Sequence, residues 1–435
     1  MFKRIQNIFS IPELRRRILF TLGMLAVYRV GCHVPIPGIN GDVLADFFQK
    51  SQSGLLGMVS AFTGGALARM TVFALGIMPY ISASIILQLL GVVFEPVERL
   101  AKEGEQGRKT ITKWTRYGTI VLSIVQGAGI AVGLQSMVVD GAAVVSHPGF
   151  GFILLTVITL TAGTAFIMWV GEQITERGIG NGISLIIFAG IIADMPAAIF
   201  NTVRLANTGA LGPASILLLL AVVVATIWAI VFMELAQRRL PIHYAKRVVG
   251  MRNYGGQKSH LPLKINMSGV IPPIFASSII MFPATVANLV NIAWVQKAAS
   301  WMTPGHAIYY FFYVAFIIFF CYFYTAVTFN PVDVADNVKK QGGYIPGIRP
   351  GKATSDYIDS VLGRLTFAGA AYVSVVCVWP TLLITGLNVP FFFGGTSLLI
   401  VVGVGLDTAS QVEAHLISRS YEGFMKGVTL RGRHG

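Results

Sequence analysis

The sequence predicts an all-α polytopic membrane protein with ten transmembrane helices. Hydrophobic residues make up 54% of the chain and charged residues only 12%, whereas soluble domains are about 25% charged. Apolar runs long enough to cross a bilayer recur along the chain, and most lysines and arginines lie in alternate connections between these runs. Too little polar surface remains to coat a water-soluble body, so lipid is the expected solvent.

Each predicted span is an apolar run of roughly 20 residues, the length that an α-helix needs to cross the hydrocarbon core. The first run follows a basic segment, as in a signal peptide. It is too long for a signal core, so we expect it to be retained as a span. The ten predicted spans cover residues 18–36, 71–94, 114–138, 150–171, 182–202, 213–235, 268–290, 306–329, 365–387 and 396–415.

Ten spans divide into two sets of five, and an odd number per set inverts the second set relative to the first. Membrane proteins built from inverted repeats place their transport pathway at the interface of the two halves. This prediction rests on the count of spans and not on residue-level similarity between the halves. The expected organisation is a cytoplasmic segment 1–17, an N-terminal half 18–202, a C-terminal half 203–415 and a cytoplasmic tail 416–435.

The positive charges orient the chain. Of the 33 lysines and arginines, 28 lie in or beside the segments on one side of the predicted membrane, four lie on the other, and Arg29 lies within the first span. The positive-inside rule makes the basic side cytoplasmic and places both termini there. The long loops 236–267 and 330–364 also mix basic, aromatic and glycine residues, a composition that suits docking of ribosomal RNA or of an acidic protein surface.

Motifs for catalysis or energy conversion are not apparent. Segment 104–110 superficially resembles a phosphate-binding loop but lacks the GxxxxGK[ST] spacing. The three cysteines form no CxxC pair, which argues against a zinc site or a disulfide framework. Isolated charges within the spans, such as Asp194 and Asp407, need a partner or water. The sequence therefore predicts no enzymatic activity, no metal and no cofactor.

The connection between the first two spans contains an apolar segment, 54–70, that is too short and too interrupted by glycine to cross a bilayer. A helix that re-enters the protein is possible where protein or water satisfies its backbone. An amphipathic helix on the outer leaflet fits equally well. Physical reasoning alone leaves both alternatives open.

Five segments resemble the SecY family of protein-conducting channel subunits, in family order and across essentially the whole chain. They read ALGIMPYISASII at 74–86, GEQITERGIGNG at 171–182, LPLKIN at 261–266, PGIRPG at 346–351 and FGGTSLLI at 393–400. The resemblance implies a central hourglass pore between the two five-helix halves, with 57–70 as a short plug helix in its outer funnel. The plug residues named by this resemblance are Phe62, Gly64, Gly65, Leu67 and Arg69.

The resemblance also implies a ring of aliphatic side chains at the waist of the pore. A narrow aliphatic collar expels water and so blocks ions, while it offers a passing polypeptide no hydrogen bonds. Without the family, an isoleucine in an apolar span would be assigned to the core or to lipid contact. The ring positions are Ile77, Ile81, Ile183, Ile187, Ile274 and Ile400.

Members of this family open sideways between spans 2–3 and spans 7–8, so that signal sequences and membrane anchors can enter lipid. Polar residues in those spans are candidates for this lateral gate, although polar residues also hold membrane helices together in general. The candidates are Ser82, Gln88, Gln126, Ser277 and Ser278.

On the cytoplasmic side, Arg349 matches a family arginine used in coupling to the SecA motor and the ribosome. Lys246, Arg247 and Arg252 lie in the preceding loop, but the basic pair common in the family reads Met251-Arg252 here. Docking through Arg349 is therefore the better-supported expectation. The implied partners are SecE-type and SecG-type small membrane subunits, the SecA ATPase, the ribosome, signal peptides and nascent polypeptides, and the lipid bilayer.

The sequence thus predicts a passive, gated channel for unfolded polypeptides in a bacterial inner membrane, driven by SecA or by the ribosome. The alternative is an ion-coupled secondary transporter, because ten spans in inverted halves also suit that class. A scaffold without a conduit is a third hypothesis.

Overall fold

A computed structural model gives the fold of this chain. It describes residues 11–41, 43–44, 63–135, 137–139, 142–208, 212–244, 247–249, 252–254, 258–289, 301, 306–387 and 395–427. Every predicted span contains an α-helix, and within the described residues two further helices lie in the connections. Their bounds are α1 Pro12–Gly31, α2 Met78–Val93, α3 Glu95–Lys102, α4 Glu105–Gln135, α5 Phe150–Arg177, α6 Gly182–Asn207, α7 Pro213–Leu235, α8 Ile271–Leu289, α9 Ala307–Thr328, α10 Pro331–Lys340, α11 Lys352–Leu387 and α12 Gly395–Gly427.

The apolar helices have the lengths that a bilayer requires. Among the described residues, seven helices are long and apolar enough to span a membrane, and α2 and Ile271–Ile280 of α8 are shorter apolar helices. Helix α1 has 20 residues but contains Arg15, Arg16 and Arg17 in its first half. Its apolar part is shorter than the predicted run 18–36, because the helix ends at Gly31.

Helices α1, α2, α4 and α11 begin well away from the predicted starts of their spans, and α1 and α4 extend the predicted span into the basic segment that precedes it. Helix α2 begins at Met78 rather than near 71, because Gly76 takes a left-handed backbone (φ +56°) that interrupts the helix. Pro79 then lies in the first turn, where its missing N–H is harmless. Helix α11 begins at Lys352 rather than near 365. Its first turns are amphipathic and pack against the cytoplasmic loops, so hydropathy alone does not reveal them.

The chain forms two compact units. The first comprises Met1–Arg204, Phe282–Ser300 and Val404–Gly435. Within it α4 packs against α2 and α5, and α1 packs against α5. The second comprises Leu205–Met281 and Trp301–Gly403, where α11 packs against α7, α9 and α10.

An apolar cluster lies in the first unit, at the end of α1 that is followed by residue 32. Segment 63–75 is held to the connection after α1 by backbone hydrogen bonds, from Ile36 N to Met70 O and from Val72 N to Val34 O, each 3.0 Å. Short strands β1 (Val138–Val139) and β2 (Ala142–Ala143) pair beside this connection. The buried residues of the cluster are Ile36, Leu44, Leu67, Met70, Ala74, Leu75, Ala131, Leu134, Val144, Val145, Phe152 and Leu160.

The two long loops of the second unit, 236–267 and 330–364, join in one sheet. Strand β3 (Gln237–Tyr244) pairs antiparallel with β6 (Lys258–Lys264), from Gln237↔Lys264 to His243↔Lys258. Strand β7 (Gly343–Tyr344), from the other loop, pairs with the opposite edge of β3. At the tip, β4 (Arg247–Val249) pairs with β5 (Arg252–Tyr254). The sheet packs on the first turns of α11 through the buried residues Leu240, Leu263, Ile345, Ile358, Val361 and Leu362.

Candidate functional site

The first pair of predicted ring residues lies at the start of α2. Ile77 precedes the helix and Ile81 N donates to Ile77 O at 3.1 Å, the first hydrogen bond of the helix. The two residues are four apart and share a face. Both side chains are buried, with 4% and 5% exposure. The left-handed Gly76 and the helix start therefore fix the position of this pair.

The second pair, Ile183 and Ile187, lies in the first two turns of α6 on one face. Asn181 caps this helix, because its Oδ1 accepts from Ile183 N at 3.1 Å and from Ser184 N at 3.4 Å. Ile187 is buried and Ile183 is partly buried. The GNG part of the 171–182 motif thus has a structural explanation, since it makes the turn and the cap that start α6.

The turn before α6 is held by side chains from three other helices, which sequence reasoning missed. Thr21 Oγ1 of α1 accepts from Ile179 N at 3.1 Å, and Thr175 Oγ1 of α5 accepts from Gly182 N at 2.9 Å. Gln411 Oε1 of α12 accepts from Gly180 N at 3.0 Å. A single sequence carries no signal for these contacts, because Thr21 and Gln411 are far from the turn in the chain.

The remaining ring residues belong to the second unit. Ile274 lies in the first turn of α8 and Ile400 in the second turn of α12, and both are buried. Ser277 Oγ and Ser278 Oγ both donate to Ile274 O, at 2.9 and 2.8 Å. These serines were predicted at the lateral gate. Their hydroxyls are satisfied within their own helix, as is common for serine in membrane helices.

The other lateral-gate candidates lie on α2 and α4. Gln88 Nε2 donates to Ser84 Oγ at 3.2 Å within α2. Ser82 and Gln126 are partly buried. Like Ser277 and Ser278, Gln88 thus bonds within its own helix, so the hydrogen bonds that the structure gives these residues do not distinguish a gate from ordinary helix contacts.

The described part of the predicted plug, residues 63–70, forms consecutive turns and not an α-helix. Gly64 and Gly65 both have positive φ, +62° and +77°, which a continuing right-handed helix does not permit. Tyr28 OH donates to Thr63 O at 3.4 Å and Arg29 Nη1 to Gly64 O at 3.2 Å. Leu67 is buried and Arg69 is exposed. Phe62 and the rest of 57–62 lie outside the described residues.

The cytoplasmic docking candidates differ in how firmly the backbone holds them. Arg349 is exposed on a loop with left-handed glycines at 347 (φ +81°) and 351 (φ +107°). Thr354 Oγ1 donates to Arg349 O at 2.9 Å and ties the loop to α11. The backbones of Arg247 and Arg252 belong to the β4–β5 hairpin. Lys246 lies outside the described residues.

Gly182 allows α5 and α6 to approach closely, so Gly182→Ala should destabilise the protein. A Cβ there would collide with the carbonyl oxygen of Gly171, and such overpacking costs about 1–3 kcal/mol. We expect a lower midpoint of thermal unfolding in detergent, measured by tryptophan fluorescence. The matched control is Gly23→Ala in α1, where no described atom lies within 4 Å of the added Cβ. An unchanged midpoint for Gly182→Ala would contradict this packing.

Known proteins resemble this chain over nearly its whole length. The family model described as SecY matches residues 71–409. The chain is 50% identical over 427 residues to the protein translocase subunit SecY of Escherichia coli strain K12, covering 97% of this chain and 96% of that one. It is 47% identical over 428 residues to the protein of the same name from Aquifex aeolicus, covering 98% and 100%.

Solved structures share the fold at low sequence identity. A SecY structure, described as showing that the plug domain stabilises the closed state of the translocation channel and maintains a membrane seal, matches with a TM-score of 0.65. It is 17% identical, and the match covers 95% of this chain and 97% of that one. Sec61 from the canine ribosome-channel complex of the endoplasmic reticulum matches with a TM-score of 0.58 at 16% identity, covering 95% and 97%.

Proposed function

Because this chain belongs to the SecY family, we propose that it is the channel-forming subunit of a protein translocase. It passes unfolded secretory polypeptides across the membrane and releases membrane segments sideways into lipid. The observation that carries this proposal is the 50% identity to a protein translocase subunit over 97% of the chain. The transporter and scaffold alternatives have no comparable support.

We propose that the six isoleucines form the seal of this channel. All six are branched aliphatic side chains placed in or just before the first two turns of a helix. They are the buried pair Ile77 and Ile81 at the start of α2, the pair at the capped start of α6, and Ile274 and Ile400. A collar of such side chains is poorly wetted and blocks ions without binding a polypeptide. Energy for movement must then come from outside the chain, from SecA or from the ribosome.

We further propose that segment 57–70 is the plug of the closed channel. The bonds from Tyr28 and Arg29 to Thr63 and Gly64 support this role, since they attach the segment to α1. Release of the described turns requires these hydrogen bonds and the apolar contacts of Leu67 and Met70 to break, but no α-helix has to unwind.

The chain is a multi-pass membrane protein. We place it in the bacterial inner membrane with both termini in the cytoplasm, on the strength of its bacterial relatives and of the charge distribution. We propose SecE-type and SecG-type subunits as neighbours in the membrane. SecA, the ribosome, signal peptides and nascent chains are the proposed partners at the pore and the cytoplasmic loops.

Reconstitution tests the function directly. The protein is purified with its small membrane subunits, placed in liposomes, and supplied with SecA, ATP and a radiolabelled secretory precursor. We expect the precursor to become resistant to added protease. Lack of protection, together with saturable uptake of small solutes driven by an ion gradient, would instead establish the transporter alternative.

Crosslinking tests the ring. A precursor stalled in the channel should crosslink to cysteines placed at Ile77, Ile183 or Ile274, after Cys32, Cys321 and Cys377 are replaced. Ile86 on α2 is exposed, and Ile86→Cys is the control from which no crosslink is expected. Equal crosslinking at the control and ring positions would contradict the assignment.

A further inference from the structure

A carboxylate faces the plug segment, and neither the fold nor the proposed ring accounts for it. Asp194 lies on α6, and a Cβ placed at Gly65 would be 3.6 Å from Asp194 Oδ1 and 3.9 Å from Arg69 Nη2. The charges of Arg29 and Arg69 both act on this carboxylate. Asp194 is partly buried in a predicted span, where an isolated charge is costly. Two arginines beside it reduce that cost in part.

The position of Asp194 on its helix connects it to the ring. Ile183, Ile187, Gly190 and Asp194 are spaced by four, three and four residues and therefore share one face of α6. With a rise of 1.5 Å per residue, Asp194 lies about 10 Å along the helix from Ile187. Between them, Gly190 is in direct contact with the plug segment, because a Cβ at Gly64 would be 2.9 Å from Gly190 Cα.

The cations approach the carboxylate from two different segments. Arg29 belongs to α1 and already donates to Gly64 O at 3.2 Å. Arg69 belongs to the plug segment itself, at its exposed edge. Asp194 thus links the plug segment, α1 and α6 through charge, and the link can break without unwinding either helix.

We propose that Asp194 is a positioning residue that latches the 63–70 segment onto the ring-bearing face of α6 through Arg29 and Arg69. The inference rests on the proposed function of 57–70 as a plug. Removing the carboxylate frees the segment to leave that face. Once the segment has left, the resting channel leaks. A residue that served only to stabilise the fold would lower the unfolding midpoint without changing the exposure of the segment.

The test measures exposure of the segment without requiring translocation. A single cysteine at Ala68, which is partly buried, is labelled with a membrane-impermeant maleimide in the purified complex in liposomes. We expect Asp194→Asn and Arg69→Gln each to speed labelling roughly 5- to 30-fold, the effect of losing one latch interaction from a two-state equilibrium. Asp194→Glu, which keeps the charge, should label at nearly the wild-type rate. Asp336→Asn, an exposed carboxylate on α10, is the control for loss of one charge.

The double variant decides whether the two residues act together. The combination of Asp194→Asn and Arg69→Gln should label no faster than the faster single variant, because the latch is already broken. Multiplied rates in the double variant, or wild-type rates in both single variants, would overturn the proposal. Arg69 is exposed, so Arg69→Gln keeps the test valid if Asp194→Asn does not fold. Protein translocation by the wild-type complex, assayed in parallel, reports on the proposed function separately.

Discussion

Replacing Ile81, Ile187 and Ile400 together by glycine should make proteoliposomes that contain this protein leak small ions. The change removes three branched side chains from the proposed collar and exposes backbone polar groups that water can wet. Lowering the barrier to ion passage by about 1.4 kcal/mol multiplies the rate tenfold. We therefore expect at least about a tenfold rise in chloride or potassium flux, measured by dye quenching or by single-channel recording.

The control for this experiment uses the same helices. Ile86, Ile192 and Ile417 lie on α2, α6 and α12 and have exposed side chains. Their triple replacement by glycine lowers the helix propensity of the same helices by a similar amount, roughly 1 kcal/mol for each glycine, and should leave the flux at the wild-type level. If both triple variants leaked equally, the leak would reflect loose helices and the ring assignment would be wrong.

Arg349→Glu should abolish most SecA-driven export while the protein still assembles in the membrane. The loop that carries Arg349 is fixed by two left-handed glycines and by the hydrogen bond from Thr354. A fixed cation can make a charge-assisted hydrogen bond worth about 1.5–3 kcal/mol, and the reversed charge adds repulsion. We expect docking of SecA to weaken by about tenfold or more, measured by titration of the reconstituted channel with labelled SecA.

Lys340→Glu is the matched control, because it makes the same charge change on an exposed residue of the same connection, 330–364. Export by this variant should remain close to wild type, as should the unfolding midpoint of both variants. Normal SecA affinity in Arg349→Glu would remove the docking assignment. An equal loss in both variants would mean that the loop attracts SecA only through its overall charge.

The sequence predicted the helices better than it predicted how they begin. All ten apolar runs contain helices, because lipid cannot satisfy exposed backbone groups and an apolar segment that crosses it must form all its hydrogen bonds internally. The start of α2 was wrong by several residues, and the start of α11 was wrong by more. Local backbone geometry sets the start of α2, and packing on a loop sets the start of α11. Hydropathy detects neither effect.

The cytoplasmic loops and the glycine motifs show the limit of sequence reasoning. The loop 236–267 was long enough for a hairpin, but the sequence did not reveal that a strand from 330–364 completes its sheet. Likewise, the segment GIGNG at 178–182 matched a family motif, but the match offered no physical reason for these residues. The structure supplies one, in the cap by Asn181 and in the close approach of Gly182 to Gly171.

The sequence by itself determined that this chain lies in a membrane, which ten segments contain its apolar helices and to which family it belongs. Those properties follow from hydrophobicity, charge asymmetry and contiguous motifs, each of which is local in the chain. Only the tertiary structure placed Asp194 beside the 63–70 segment and Gln411 beside Gly180. Such contacts join residues far apart in sequence, and they depend on packing geometry that no pattern in a single chain specifies.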